Sequence, residues 1–156
     1  MKKVILPVLV ALVSVLSFGL QRAEAQTYQT TIGLGIDLGN GPTLVGPQVK
    51  HFFDVNNAGN AQVLFGDHFT ALGVDYSYNQ PIAGANGLNW YLGVGPQLGF
   101  ASDHTFFALR PAAGLEFKVP SAPVAFHFDW KPWWNLSNSS SFEAGRFSIG
   151  LKYVLK

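Results

Sequence analysis

Three residue types that could form an acyl-transfer site lie in the C-terminal third of the chain. His127 and Asp129 are separated by one residue, and Ser148 follows on a later segment. Alternate residues of a strand share a face, so His127 and Asp129 would point to the same side. A serine, a histidine and an acid are the set that acyl transfer or lipid deacylation uses. The same residue types occur in any polar barrel interior, and the sequence favours that structural role over an enzyme.

Charged residues recur throughout the chain on the face of each alternating segment that is opposite to its apolar face. These are four acids and six bases: Asp37, Lys50, Asp75, Arg110, Glu116, Lys118, Asp129, Lys131, Arg146 and Lys152. Charges removed from bulk water are costly unless they are paired. The sequence therefore predicts a network of salt bridges and hydrogen bonds that acts as a structural plug. Its named members are Asp37, Asp75, Arg110, Glu116, Asp129, Lys131, Arg146 and Lys152.

The segments that position these charges alternate between apolar and polar residues. In 146–156, Phe147, Ile149, Leu151 and Tyr153 share one face, and Ser148 and Lys152 lie on the other. A strand of about 9–11 residues can cross a bilayer when it is tilted, whereas ordinary strands average about 5–6. Alternation recurs in seven earlier segments, of which the second is weaker and the third has ambiguous faces: 28–38, 43–53, 61–66, 71–78, 89–100, 109–119 and 124–131.

Eight strands joined by short loops predict an antiparallel meander. Three architectures remain open: a transmembrane barrel, a soluble barrel that binds a hydrophobic ligand, and a sandwich. A water-facing surface would carry about 25–35% charged residues. The second face is instead rich in glycine, as the narrow interior of a small barrel requires. The favoured fold is all-β, an eight-stranded antiparallel up-and-down transmembrane β-barrel.

Aromatic residues near the predicted strand ends resemble the belts that anchor proteins at membrane interfaces. The residues predicted to form these belts are Tyr28, Trp90, Phe100, Trp130, Trp133, Trp134 and Tyr153. Two of them begin the longest predicted polar loop, 132–141. This loop could contact lipopolysaccharide or another ligand, but anchoring at the interface is the favoured role.

The N-terminus has the pattern of a cleavable export signal. Lys2 and Lys3 precede an apolar run over 4–20, and Ala23-Glu24-Ala25 forms a small-x-small cleavage site. A transmembrane anchor is the alternative, but the run is short for one. Residues 1–25 are therefore predicted to be a signal peptide and residues 26–156 a single barrel domain. The chain contains no cysteine, which excludes a disulfide framework and a thiol nucleophile.

The charge of the predicted mature domain gives no support to nucleic-acid binding. The signal removes Lys2, Lys3, Arg22 and Glu24, which leaves seven basic and eight acidic residues. His51, His68 and His104 have no metal-ligand spacing, and the Gly33/Gly35 and Gly93/Gly95 pairs open no helix that could bind phosphate. No metal or cofactor is predicted.

Two stretches resemble strands of the small outer-membrane β-barrel proteins common in Bacteroidota. These are Leu88-Asn89-Trp90-Tyr91-Leu92-Gly93-Val94-Gly95, and Gly114 to Lys118 followed by Ala122 to Pro132. The resemblance implies an eight-stranded barrel of the same general kind as the OmpA and OmpX barrels. Members of this family commonly end on an aromatic residue, whereas this chain continues past Tyr153 to Lys156.

These expectations place the protein in the outer membrane after export. The expected partners are outer-membrane lipid, including lipopolysaccharide, and the barrel-assembly machinery. We expect a monomer whose lumen is not a large open pore.

Overall fold

A computed structural model describes residues 28–137 and 139–155. The predicted signal peptide lies outside these residues. The described chain forms ten strands: β1 (Thr30–Gly39), β2 (Leu44–Phe52), β3 (Asn57–Gly66), β4 (Phe69–Pro81), β5 (Leu88–Ala101), β6 (Thr105–Lys118), β7 (Val124–Trp130), β8 (Trp133–Asn135), β9 (Ser141–Glu143) and β10 (Arg146–Leu155). Within these two ranges, no helix is long and apolar enough to cross a membrane.

The strands close into one antiparallel barrel. From β5 the hydrogen-bonded order runs through β4, β3, β2, β1, β10 and β7 to β6, and β6 pairs with β5 again. β8 extends β7 along the edge of β6, and β9 precedes β10 in the same way. With β7 and β8 counted as one strand position and β9 and β10 as another, the barrel wall consists of eight strands. The predicted eight-stranded up-and-down topology is confirmed.

The segment 132–141 is not a polar loop, as the sequence suggested, but contains the hairpin of β8 and β9. β6 has 14 residues and β7 only seven, so half of β6 would lack a partner if the chain left the sheet at Trp130. Pro132 has no N–H and interrupts the ladder. Beyond it, Leu109 pairs with Trp134 and Ala108 with Asn135.

The two faces of the wall have opposite chemistry. Large apolar side chains point outward and are exposed, as shown by Leu34 (59% exposed), Phe128 (53%) and Tyr153 (54%). Charged and amide side chains point inward and are buried. The ambiguous third predicted strand alternates in the same way, because Gln62 is buried and Phe65 is exposed, but its inward face also carries the buried apolar side chain of Leu64. This inverted arrangement is that of a barrel surrounded by lipid.

Short turns join the walls at both ends. One end holds the start of β1 and the finish of β10, and we call it the terminal end; the other holds the β8–β9 turn, and we call it the hairpin end. The β4–β5 turn at the terminal end depends on Gly87, whose φ is +83°. A Cβ there would lie 2.2 Å from the carbonyl oxygen of Lys118, so this position requires glycine.

Candidate functional site

The lumen is the candidate site, because the predicted charged residues meet there. Seven of the eight predicted members are buried, and the side chain of Asp75 is only 7% exposed. Lys50, which shares their face, is also buried. Lys118 is half-buried at the end of β6 and lies outside the network of ion pairs described here. The members are Asp37, Asp75, Arg110, Glu116, Asp129, Lys131, Arg146 and Lys152.

The arginine cluster, Asp37 with Arg110 and Arg146, occupies the hairpin end of the lumen. Asp37 lies near the end of β1, Arg110 on β6 and Arg146 at the start of β10. Asp37 accepts hydrogen bonds from Arg146 at 2.5 Å and from Arg110, and the three residues are no more than 1% exposed. One carboxylate therefore binds two guanidinium groups from different strands.

Both guanidinium groups also bind the backbone where it leaves regular strand geometry. Arg110 donates to the carbonyl oxygens of Lys131 and Pro132, at the break between β7 and β8. Arg146 donates to the carbonyl oxygens of Asn40 and Pro42, at 2.7 and 2.8 Å, in the β1–β2 turn. The forked guanidinium group suits this task, because it presents several donors in fixed directions.

The lysine cluster, Glu116 with Lys50 and Lys152, occupies the terminal end. Glu116 is fully buried on β6 and accepts hydrogen bonds from Lys50 on β2 at 3.0 Å and from Lys152 on β10 at 2.6 Å. The hydroxyl of Tyr28 donates to the same carboxylate, and Lys50 also donates to Asn79 at 2.7 Å. Lys50 therefore reaches Glu116 from the opposite side of the barrel, and Lys152 reaches it from a strand two positions away.

A third group lies between the two clusters. Lys131 donates to Asp75, which also accepts from the amide of Asn60 at 3.2 Å. Asp129 accepts from the hydroxyl of Tyr91. Apart from Asp37–Arg146 and Asp75–Asn60, the partners in the three groups lie on strands that are not neighbours in the barrel.

Aromatic side chains cover both ends of this network. At the hairpin end Phe69, Phe106 and Trp133 pack together with ring centroids 5.2–5.7 Å apart. The guanidinium groups of Arg110 and Arg146 lie 5.0 and 5.6 Å from the Trp133 ring.

At the terminal end Tyr28 packs edge-on against Phe52, 5.3 Å away. The Lys50 ammonium lies 4.8 Å from the Phe52 ring. Each charge cluster therefore has an aromatic neighbour at its outer side.

The interface prediction was wrong for Tyr28 and Trp133. Both side chains point into the barrel, because Tyr28 reaches Glu116 and Trp133 completes the aromatic cover over the arginine cluster. The remaining predicted members lie on the outward face: Trp90, Phe100, Trp130, Trp134 and Tyr153. Among these, Trp130 also donates from its indole nitrogen to the carbonyl oxygen of Ala144 at 2.7 Å.

The middle of the lumen contains a small cavity. A polar cavity of about 30 Å³ lies between Lys50, Asn60, Asp75, Asp129 and Lys131 and their neighbours. That is close to the volume of about one water molecule. Inward glycines leave room for the large side chains around it. A Cβ at Gly150, for example, would lie 2.2 Å from the His127 ring and 2.4 Å from the amide of Gln48.

The predicted acyl-transfer set is only partly assembled. His127 Nε2 lies 3.3 Å from Ser148 Oγ, within hydrogen-bond distance. In the described residues the other ring nitrogen, Nδ1, has no hydrogen-bond partner, and Asp129 bonds Tyr91 instead. A serine–histidine pair without an acid on Nδ1 lacks the group that orients the imidazole. No group of three His, Asp or Glu side chains in the described part of the chain is placed to hold a metal.

Two neutral lumen residues, Gln97 and Gln48, also take part in the hydrogen-bond network, although the sequence analysis did not name them. Gln97 accepts from Arg110 at 2.9 Å, and the Gln48 amide donates to the carbonyl oxygen of Leu34 at 3.0 Å. Both lie on the inward face that strand alternation defines, so their direction was predictable. Their partners were not, because those depend on the curvature of the wall.

Comparison with known proteins shows the fold. No protein-family model and no curated protein sequence matches the chain. The crystal structure of the N-terminal β-barrel domain of Pseudomonas aeruginosa OprF superposes with a TM-score of 0.66 at 13% identity, covering 85% of this chain and 100% of that domain. A de novo designed transmembrane β-barrel superposes with a TM-score of 0.61 at 15% identity, covering 84% of this chain and 99% of the design. The chain therefore has the fold of a small transmembrane β-barrel.

Proposed function

We propose that this protein is an integral outer-membrane β-barrel with a plugged lumen and a structural or surface-interaction role. The observation that carries this proposal is the filling of the lumen by paired charges. Two clusters and a central group cross the barrel between aromatic covers, and the cavity left between them is about 30 Å³. A large open porin would need a continuous aqueous path through this region.

The outward face supports the membrane location. Its exposed apolar side chains are distributed over all eight strands of the barrel, where a soluble barrel would carry charges. A closed antiparallel barrel leaves no unpaired edge in the hydrocarbon, and apolar-out, polar-in alternation is characteristic of outer-membrane barrels. The predicted export signal of residues 1–25 supports the same compartment. A soluble barrel with a hydrophobic ligand inside is disfavoured, because charged and amide side chains line the interior.

The geometry also supports a role without catalysis. His127 and Ser148 are buried inside the lumen, and Asp129 bonds Tyr91 rather than the histidine. Lipid modification would need this set to be open to lipid. Comparison of lipid A by mass spectrometry, from cells with and without the protein, tests this. The expected spectra are the same, and a difference restored by the wild-type gene but not by Ser148→Ala would establish the enzyme instead.

The surface role is expected at the hairpin end. Trp134 and Phe142 form a cross-strand pair on the outward face of the β8–β9 hairpin and are 43% and 55% exposed. Such side chains suit contact with lipid at the interface, and we propose lipopolysaccharide as the lipid partner there. The proposed working form is a monomer inserted by the barrel-assembly machinery.

Fractionation of cells that produce the full chain tests the membrane location. The protein should resist extraction by salt and osmotic shock, dissolve in detergent and migrate faster on a gel before boiling than after. Recovery in the osmotic-shock fraction, with no shift on boiling, would support the soluble barrel instead. Boiled and unboiled samples of the same preparation serve as each other's control.

A further inference from the structure

The sequence Val-Gly-Pro-Gln occurs twice, each time within a strand. Val45–Gln48 belongs to β2 and Val94–Gln97 to β5. Each copy pairs regularly on one side only: Pro47 with Leu34 of β1, and Pro96 with Leu109 of β6. On the other sides the β2–β3 pairing skips Gly46 and Pro47, and the β4–β5 pairing skips Gly95 and Pro96. The β3–β4 hairpin is therefore flanked by two interrupted ladders.

Glycine is required at both interruptions. A Cβ at Gly46 would lie 1.8 Å from the carbonyl oxygen of Val63, and one at Gly95 would lie 1.9 Å from that of Val74. The neighbouring backbone thus approaches each glycine too closely for any side chain. The two proline rings point outward, since the glycines and glutamines beside them occupy the inward face.

An apolar groove lies on the outer wall over these two sites. Its volume is about 720 Å³, within the range of about 300–1,000 Å³ that is usual for ligand sites. Two neighbouring rows of outward side chains border it across the strands, one containing Val49, Ala61 and Val74 and the other Pro47, Val63 and Leu72. Between the two rows, the inward-facing residues Gln48, Gln62 and Gly73 complete the lining, and the small side chain of Ala61 leaves the groove open.

The groove is long and narrow. Its lining extends from Ile32 on β1 to Phe107 on β6. Five strand spacings of about 4.8 Å give a length of about 24 Å, and two rows on one face of a strand are about 7 Å apart. All outward side chains that line it are apolar: Ile32, Pro47, Val49, Ala61, Val63, Leu72, Val74, Pro96, Leu98 and Phe107.

We propose that this groove binds one acyl chain of a membrane lipid. The shape fits an extended hydrocarbon, and every outward side chain of the lining is apolar, while Gln48 and Gln62 of the lining belong to the inward-facing set. A peptide segment fits less well, because its backbone groups would lose hydrogen bonds in the hydrocarbon. A second barrel fits less well too, because its convex wall would contact the rims and leave the floor empty. This proposal depends on the transmembrane fold and not on the plugged lumen.

Filling the groove tests the proposal. Ala61→Phe places a ring on the floor, and Ala113→Phe is the matched control, since Ala113 is another outward alanine in mid-strand that does not line the groove. Each full-length protein is purified from membranes in mild detergent, and its bound lipid is measured by native mass spectrometry. Wild type and the control should retain one lipid per barrel, and Ala61→Phe should lose it.

Three results would overturn the proposal. Equal lipid retention by both variants would place the lipid elsewhere, and an absence of bound lipid in all three proteins would leave the groove without an acyl chain. A dimer that dissociates on Ala61→Phe, seen by light scattering without bound lipid, would assign the groove to a second copy. Faster migration before boiling shows that each variant is folded, and Val63→Phe replaces Ala61→Phe if that variant fails this test. Fractionation tests membrane insertion separately, so its failure is distinguishable from these results.

Discussion

At each end of the lumen a buried carboxylate is neutralised by two cations, and the two ends use different cations. Asp37 holds two arginines at the hairpin end, and Glu116 holds two lysines at the terminal end. In each cluster one buried carboxylate forms ion pairs with two cations from different strands, and an aromatic ring lies beside them. The difference lies in what else the cations bind. The arginines reach backbone carbonyl groups, whereas the lysines bind only side chains among the contacts described here.

This difference follows the regularity of the wall. The hairpin end contains the break at Pro132 and the turn that follows Gly39, and both expose carbonyl groups that no strand satisfies. The terminal end has short turns that close their own hydrogen bonds. The arginine cluster therefore stabilises backbone geometry in addition to charge, and the lysine cluster stabilises charge alone. Substitutions at the two ends should differ accordingly.

Removal of Asp37 should have the largest effect. Asp37→Ala leaves Arg110 and Arg146 without their shared carboxylate, and an uncompensated buried charge typically costs about 3–5 kcal/mol. Urea unfolding in phospholipid vesicles, followed by the mobility shift on unboiled gels, measures the change in unfolding free energy. Asp103→Ala is the control, because this carboxylate is exposed in the turn of the same end. A loss below about 1 kcal/mol for Asp37→Ala would refute the role of this cluster.

The next effect separates the two cations directly. Arg146→Met and Lys152→Met each remove one of two cations from a cluster, so each carboxylate keeps a partner. Arg146 also loses two bonds to carbonyl oxygens, and we expect about 2–3 kcal/mol of destabilisation against about 1–2 for Lys152. The same unfolding assay measures both variants. Equal losses, or a larger loss for Lys152→Met, would contradict the distinction between the two ends.

A smaller effect is expected for the hydroxyl of Tyr28. Tyr28→Phe keeps the packing on Phe52 and removes one hydrogen bond to Glu116, which should cost about 1–2 kcal/mol. Tyr153→Phe is the matched control, since that side chain lies exposed on the outward face, and it should change stability by less than about 0.5 kcal/mol. If the two variants unfold at the same urea concentration, Tyr28 is not part of the lysine cluster.

The smallest effect should lie outside the lumen, in the β2–β3 turn at the terminal end. Hydrogen bonds from the backbone of Asn56, and then from the side chain and backbone of Asn57, lower the pKa of the exposed Asp54 carboxyl. A lowered folded-state pKa stabilises the turn above the unfolded pKa, and this contribution disappears as the pH falls through the folded one. An NMR titration in detergent micelles should show Asp54 titrating below a model peptide. Titration at or above the peptide value would contradict these turn contacts.

Strand alternation predicted which way most side chains point, and the reason is geometric. In β5, β6 and β7 each residue faces opposite to its neighbours, so Arg110, Glu116 and Asp129 could be assigned to the interior without knowledge of any contact. The same rule gave the outward faces of Leu151 and Tyr153. The fold class followed because the second face is rich in glycine, as the narrow interior of a small barrel requires.

Alternation failed where the chain leaves the regular strand. Tyr28 precedes β1 and points inward, although it shares the parity of the outward Ile32 and Leu34. Trp133 instead keeps the inward parity of Asp129 and Lys131, so the alternation of β7, continued past Pro132, would have placed it inside. The cross-lumen partners of Lys50 and Lys131 were equally out of reach, because they depend on barrel curvature and shear. The groove outside the wall required the paired geometry of six strands.

Single-channel recording in planar bilayers tests the plugged lumen most directly. The purified full-length protein is inserted, and the same sample must show faster migration before boiling, with an open porin as a positive control for the bilayer. The charge clusters at both ends and the small cavity between them predict no stable conductance steps. Reproducible, large steps from the wild-type protein would show a continuous aqueous path and contradict the plug.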